Sequence, residues 1–222
     1  MREVITSLTV NAIILAVLLL GSGRPGWIAA WACVALMGVL QFAVVLVIYR
    51  KTPDLAQERS RIQPGTKQWD KFIVAGATVI APLAMFLVAA LGKRFGWSSP
   101  VPLWVKLAGF ALAAAGGLLT FQAMYINRFF ATTVRIQTDR GHHVVNAGPY
   151  RYLRHPGYTG MIAFDLGVPL ALGSWWALIP AAVAAALFVV RTALEDRTLQ
   201  AELPGYAAYA ARVRKRLLPL VW

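Results

Sequence analysis

The stretch that decides the fold is WIAAWACVALMGVLQFAVVLVIY, Trp27 to Tyr49, in which Gln41 is the one strongly polar side chain. A helix rises about 1.5 Å per residue, so this run is long enough to cross the ~30 Å of hydrocarbon in a bilayer. Other runs repeat the pattern on both sides of it. Ser7 to Leu20 is apolar except for Thr9 and Asn11 and reads as a slightly short first span. Phe72 to Leu91 is a third span. Leu103 to Ile126 is a fourth, with Lys106 near one end and Gln122 near the other. The last apolar region, Tyr158 to Val190, is too long for one helix and is broken at Gly173-Ser174. It reads as a helical hairpin with arms of about 15 residues, short enough to tilt or to thin the bilayer locally. Trp175 and Trp176 at the bend suit an interfacial anchor. The expected fold is therefore all-α: a polytopic transmembrane helical bundle of four spans plus a C-terminal hairpin, with cytosolic amphipathic C-terminal helices. Residues 1–126 form a region of N-terminal transmembrane helices, and 127–222 a second region of polar loop, hairpin and C-terminal helices.

Composition agrees with this reading. The 222 residues are 59% hydrophobic and 14% charged, with a mean hydropathy of +0.60. A soluble fold of that length cannot bury so much apolar surface, so lipid is the expected solvent. The net charge of +13 needs no nucleic acid, because cytoplasmic loops of membrane proteins collect Lys and Arg. With the N-terminus inside, Arg2, six basic residues in 50–71, five in 127–157 and six in the tail after Val190 make 18 on the cytosolic face. Arg24, Lys93, Arg94 and Lys106 make four outside. The opposite orientation inverts that ratio. The first 20 residues read as a span and not a cleaved leader, since only Arg2 is basic there and another apolar run follows at once. Cys33 is alone in an apolar run, so neither a disulfide nor a thiolate metal cluster is expected.

Several features imitate chemistry. Gly21 to Gly26 matches G-x-G-x-x-G, but a dinucleotide fingerprint needs a strand before it and a helix after it; here it is a turn between two spans. His142-His143 has no companion ligand motif, and neighbouring side chains on an extended chain point opposite ways, so no metal site is expected. Arg212, Arg214, Lys215 and Arg216 suit contact with anionic lipid. Asp165 stands apart, an ionisable residue inside an apolar helix and hence either a functional group or a hydrogen-bond partner of a neighbouring helix.

Two segments are dense in residue types that apolar packing does not require. In Gly148-Pro-Tyr-Arg-Tyr-Leu-Arg-His-Pro-Gly-Tyr-Thr-Gly160, Gly148-Pro149 marks a turn and Pro156 fits the first turn of a helix. The segment is expected to bring Arg154, His155 and free backbone N–H groups to a cytosolic helix N-terminus, which attracts a carboxylate or phosphate. Tyr150, Tyr152 and Tyr158 add flat surfaces suited to a nucleoside. In the second segment Arg191, Glu195 and Leu199 share a helical face, and Glu195-Asp196 is an acidic pair just past the apolar run. Leu203-Pro204-Gly205 is a break, after which Tyr206, Tyr209 and Arg212 or Val213 share the face of a short helix.

The order G-P-Y-R-Y-x-R-H-P-x-Y-x-G, hairpin, R-x-x-x-E-D-x-x-L, G-x-x-x-Y-x-x-R-V closely resembles the isoprenylcysteine carboxyl methyltransferase family, whose architecture phospholipid N-methyltransferases share. The resemblance runs roughly from Thr133 to Pro219. It implies a methyltransferase that uses S-adenosylmethionine, releases S-adenosylhomocysteine and has no Rossmann domain, with 127–222 as its catalytic region. Carried over by motif, it implies that His142, Val145, Tyr150, Arg154, His155, Tyr158, Asp196 and Tyr209 hold the cofactor in a cytosolic pocket. It also implies that Arg191 and Glu195 orient a lipophilic acceptor entering from the bilayer. The family usually has two glutamates where this chain has Glu195-Asp196; the shorter side chain keeps the charge and shifts its reach. Membrane and lipid acceptor are the implied partners, with no nucleic acid and no protein partner indicated. Two other readings stay open: a membrane sterol- or steroid-type reductase using NADPH, and a lipid-binding protein on the same scaffold without activity.

Overall fold

The computed structural model describes residues 2–217, apart from the side chains of Arg2, Glu3 and Tyr49. Pro219, where the family resemblance ends, and the rest of 218–222 lie outside the described residues. Eight helices follow in order: α1 Arg2–Ser22, α2 Ile28–Ile48, α3 Pro53–Arg59, α4 Gln68–Phe95, α5 Leu103–Ile126, α6 Pro156–Leu172, α7 Leu178–Glu202 and α8 Tyr206–Arg212. There is no strand among the described residues. Five of these helices, α1, α2, α4, α5 and α7, are long and apolar enough to cross a membrane. Their outward faces carry large apolar side chains: Ile28, Phe72, Leu20 and Leu103 are all at least 70% exposed. That would be costly in water and is what lipid-facing surfaces require.

The all-helical bundle matches the expectation, and the differences lie at helix ends. α1 begins near the N-terminus and reaches 21 residues, so it is not short. The hairpin arms are unequal, 17 residues in α6 and 25 in α7, because α7 does not stop at Val190 but carries Arg191 to Glu202 on the same helix. Gly173, in the left-handed region at φ 75°, ends α6 and lets Ser174 N–H bond back to the Pro169 carbonyl at 2.9 Å. Two helices contain π-helical turns, Val44–Ile48 in α2 and Gly76–Ile80 in α4. The second stands just before Pro82, which has no N–H for the carbonyl four residues back, and the wider turn absorbs that defect.

The closest helix pair is α5 with α6. A Cβ placed on Gly116 would lie 2.5 Å from the Gly160 carbonyl, and one on Gly160 would lie 2.5 Å from the Gly116 carbonyl. One turn pair further along, Gly167 would meet the Ala113 amide at 2.6 Å and Gly109 the Ala171 amide at 2.5 Å. The two backbones touch directly, as small residues permit in lipid, where hydrophobic association between helices is weak and close van der Waals packing replaces it. This seam fixes α6, and with it the segment that precedes it, against the end of α5.

Candidate functional site

Beyond α5 the chain leaves the apolar layer and runs through 127–155 without a long helix, apart from 3₁₀ turns at Thr138–Arg140 and Gly148–Arg151. Two arginines tie this loop to α3. Arg135 forms paired bonds of 2.7 Å to both oxygens of Glu58 and reaches Asp139 at 2.8 Å. Arg140 bonds Asp54 at 2.6 Å and the Arg128 carbonyl at 2.8 Å. Asp54 and Glu58 lie one helical turn apart in α3, so a single short helix answers both charges. Part of the chain's basic excess is therefore internally paired.

Between this loop, the start of α6, the end of α7 and α8 lies an open cavity lined by both polar and apolar groups, the concave setting in which small-molecule sites occur. His142, Val145, Tyr150, Arg154, His155, Tyr158, Arg191, Glu195 and Tyr209 all line it. Nine of the ten residues singled out from the sequence thus share one surface.

The exception is Asp196. It is fully buried and stands behind the wall as a hub. Its oxygens receive Arg154 at 3.1 Å, Arg216 at 3.0 Å, Tyr206 Oη at 3.0 Å and Gln200 Nε2 at 2.9 Å, with His155 Nε2 at 3.3 Å. A glutamate would be one methylene too long for this nest. The backbone donors expected at the α6 N-terminus are likewise partly engaged: the Arg154 and His155 N–H groups bond the carbonyls of Lys215 and Arg216 at 2.9 and 3.0 Å. The tail lies along this segment as a strap, held again by Thr159 Oγ1 on the Leu217 carbonyl at 2.7 Å. Tyr209 supports the wall from beneath, its hydroxyl donating to the Tyr150 carbonyl at 2.7 Å. Burial pushes the Tyr209 phenol up to about 12 and raises the Tyr150 and Tyr206 phenols further, so all three are neutral hydroxyls at physiological pH.

The polar centre is on α7. Arg191 is 3% exposed; its Nε and one terminal nitrogen clasp Asp70 at 2.7 and 3.0 Å, and that nitrogen also reaches the Thr132 carbonyl at 2.6 Å. The guanidinium lies 5.1 Å from the centre of the Tyr158 ring. One turn on, Glu195 accepts a hydrogen bond from Tyr158 Oη. Tyr158 in turn stacks between His155 at 5.8 Å and Phe188 at 5.6 Å. Sequence reasoning missed Asp70. It also accepts the Val134 N–H at 2.7 Å, so one buried carboxylate in the first turn of α4 fixes both Arg191 and the start of the loop. The available signal was an acid two residues before the apolar run that begins at Phe72.

His142 packs on Phe129 with ring centres 4.6 Å apart, and its Nδ1 accepts the Gln137 N–H at 3.3 Å. That bond requires the neutral ring with its proton on Nε2. Burial, with positive neighbours at His143, Arg135 and Arg140, lowers its pKa to about 4 from the usual 6.5. Because the folded value is depressed, the stability this ring contributes is present above pH 6.5 and is lost as pH falls towards 4. Thermal unfolding in detergent should therefore show a larger fall in Tm between pH 7 and pH 4 for the wild type than for His142→Gln; equal falls would refute the assignment.

Residues 104–203 match the family model for phospholipid methyltransferases, a span that takes in all but the first residue of α5 and every candidate residue except Tyr209. Over 113 residues, half of the chain, the sequence is 27% identical to Protein-S-isoprenylcysteine O-methyltransferase B of Arabidopsis thaliana. That alignment covers 57% of the relative, so the chain spans little more than half the length of the protein it matches. The matched residues supply the glycine seam and most of the cavity's lining, and over them the chain is similar to the phospholipid methyltransferases and to a protein-isoprenylcysteine O-methyltransferase.

Proposed function

We propose that the chain is an S-adenosylmethionine-dependent methyltransferase that acts on a lipophilic acceptor reaching the cavity from the bilayer. The observation that carries this reading is the Arg191, Glu195 and Tyr158 group, a fixed cation and a half-buried carboxylate on a cavity wall where α7 leaves its apolar stretch. Ionisable groups in such a place are rarely tolerated without a task. The basic loops and tail on this side of the bundle support a cytosolic position for the site.

The cavity's own groups suit the cofactor. Arg154 lines it, and its Nε is buried with no partner, a donor left for a carboxylate. Glu195 faces the same space and suits an ammonium, while Phe129, His142 and Tyr158 offer ring faces for an adenine. Bound there, S-adenosylmethionine would supply an electrophilic methyl group on a sulfonium and leave as S-adenosylhomocysteine.

The chain's residues then divide the work. His142, Val145, Tyr150, Arg154, His155 and Tyr158 hold the cofactor and keep water from it. Asp196 acts on it indirectly by orienting Arg154 and His155, and Tyr209 by fixing the turn at Tyr150. Arg191, clasped by Asp70, pairs with an anionic acceptor head. Glu195 takes the proton when the acceptor is an amine. Orientation of this kind contributes rate factors equivalent to effective molarities of roughly 10⁵ M or more. The family model is named for phospholipids and the Arabidopsis protein for protein isoprenylcysteine; the feature common to the two names is a polar acceptor on an apolar chain.

Calorimetric titration of purified protein with S-adenosylhomocysteine and with NADPH tests this directly. We expect binding of the first and none of the second. Tight NADPH binding alone would overturn the methyltransferase reading in favour of a reductase. Transfer of labelled methyl into total membrane lipid and into prenyl-cysteine acceptors then finds the acceptor class, with His155→Ala and Arg191→Ala as variants expected to lose activity.

A further inference from the structure

A second cavity, about 420 Å³, lies among the spans themselves. All of α1, α2, α4, α5, α6 and α7 contribute to it, and most of its lining is apolar, with Met37, Leu40, Met85, Phe121, Phe164 and Phe188 as the large walls. Both π-helical turns border it, through Val44 in one and Ala77 and Thr78 in the other. Such turns widen a helix locally and recur at binding sites. Only one layer of groups separates it from the first cavity. Phe188 lines the second and stacks on Tyr158, which lines the first. Thr120 lines the second and bonds the Gly157 carbonyl at 3.2 Å, where Gly157 lines the first.

Asp165 opens onto this apolar space. It is 9% exposed and makes no hydrogen bond or ion pair with any described residue, although a buried carboxyl without a partner is costly. Four residues on, Pro169 interrupts α6 and has no N–H to give the Asp165 main-chain carbonyl, so the acceptors at this position outnumber the donors the helix provides. The other polar side chains on the cavity are otherwise engaged: Thr78 and Thr120 bond helix carbonyls, Arg59 donates to the Phe130 carbonyl, and the Gln41 carbonyl oxygen takes the Asn11 amide at 2.7 Å. Asp165 follows Tyr158 by seven residues, two turns along α6 on the same face, which is about 10 Å deeper at 1.5 Å per residue.

We propose that this cavity holds the apolar body of the methyl acceptor and that Asp165 accepts a hydrogen bond from a hydroxyl or amine on that body, about 10 Å from the reacting head. The inference rests on the methyltransferase reading for the word acceptor, while the site itself needs only a lipid with an internal donor. A simple acyl or prenyl chain fills the volume and leaves the carboxyl unpaired. A chain bearing a hydroxyl or amine fills both requirements, and it is the class this site selects.

The test uses the full-length protein in lipid nanodiscs and two photoreactive probes, a diazirine-bearing C16 chain ending in a hydroxyl and the same chain ending in a methyl ether. Labelled peptides are mapped by mass spectrometry. The hydroxyl probe should label the cavity segments of α2, α4 and α6 about tenfold more than the ether, as one hydrogen bond to a buried carboxyl warrants. Asp165→Leu should abolish that preference and Asp165→Asn should keep part of it. Equal labelling by the two probes, or an unchanged preference in Asp165→Leu, would overturn the proposal. S-adenosylhomocysteine binding is measured on the same samples. If it is absent while the hydroxyl preference stands, the methyltransferase reading fails and the lipid site does not; if it is present and the preference is missing, the reverse holds.

Discussion

Replacing Asp70 by alanine should destabilise the protein by about 3–5 kcal/mol, the usual cost of leaving one member of a buried ion pair alone. Asp70 is fully buried and Arg191 is 3% exposed, so little water reaches the guanidinium to compensate. The Val134 amide loses its acceptor at the same time. Arg191→Met should cost a similar amount by stranding Asp70. The double variant Asp70→Ala/Arg191→Met should cost clearly less than the sum, because no charge is then left unpaired. Unfolding in detergent measured for all three closes the cycle, and additive losses would show that the two residues do not act as a pair.

The same pair should control turnover. Arg191 holds its place on the cavity wall through two bonds to Asp70 and one to the Thr132 carbonyl. Asp70→Asn keeps the size of the side chain and the acceptor oxygen for one contact, so the fold should survive better than in Asp70→Ala. A displacement of about 1 Å at a positioning group costs roughly 10²-fold in rate, and we expect a loss of that order in methyl transfer, with S-adenosylhomocysteine affinity changed far less. A variant in which cofactor binding and turnover fall together would mean that Asp70 supports the cavity as a whole and does not specifically position Arg191.

What the sequence disclosed and what it hid follow from the range of the interactions concerned. Apolar runs of twenty residues and a proline before a hairpin are local signals, and they placed the spans and the start of α6. Arg191 and Glu195 stood out because charged residues where a helix leaves lipid have little reason to be there without partners. His155 and Tyr158 did so because they lie at a helix start dense in residue types that apolar packing does not require. The partners themselves were invisible. Asp70 lies 121 residues from Arg191, and Glu58 lies 77 from Arg135; nothing in a local pattern links such distances. Asp196 shows a subtler limit of a linear reading. It follows Glu195 directly in the motif, but neighbouring positions on a helix differ by about 100° in direction, which turns Glu195 to the cavity and Asp196 to the hub behind it. The carbonyls of Lys215 and Arg216, which occupy the donors at Arg154 and His155, carry no sequence signature, since any residue type supplies a carbonyl.

The glycine seam was hidden for the same reason, and it underlies the second large effect. Gly160→Val should prevent α5 and α6 from closing. Its Cβ alone would stand 2.4 Å from Thr120 Oγ1 and 2.5 Å from the Gly116 carbonyl, and because one neighbour is backbone, a rotamer change cannot relieve it. Over-packing with side-chain neighbours already costs about 1–3 kcal/mol; a clash with main chain should exceed that, and the folded, monodisperse fraction on size-exclusion chromatography should fall severely. Gly26→Ala is the control, since a Cβ there meets nothing within 4 Å. Gly116→Ala should act like Gly160→Val on a smaller scale, its Cβ lying 2.5 Å from the Gly160 carbonyl and 2.6 Å from the Phe164 amide. The consequence reaches the site because Gly160 is two residues beyond Tyr158. Forcing the helices apart moves Tyr158 away from Glu195 and shifts Gly157 against Phe130, both on the cavity wall. Any folded Gly116→Ala protein should therefore bind S-adenosylhomocysteine more weakly than wild type. A well-folded Gly160→Val protein with unchanged cofactor affinity would show that the α5–α6 contact does not set the cavity's shape.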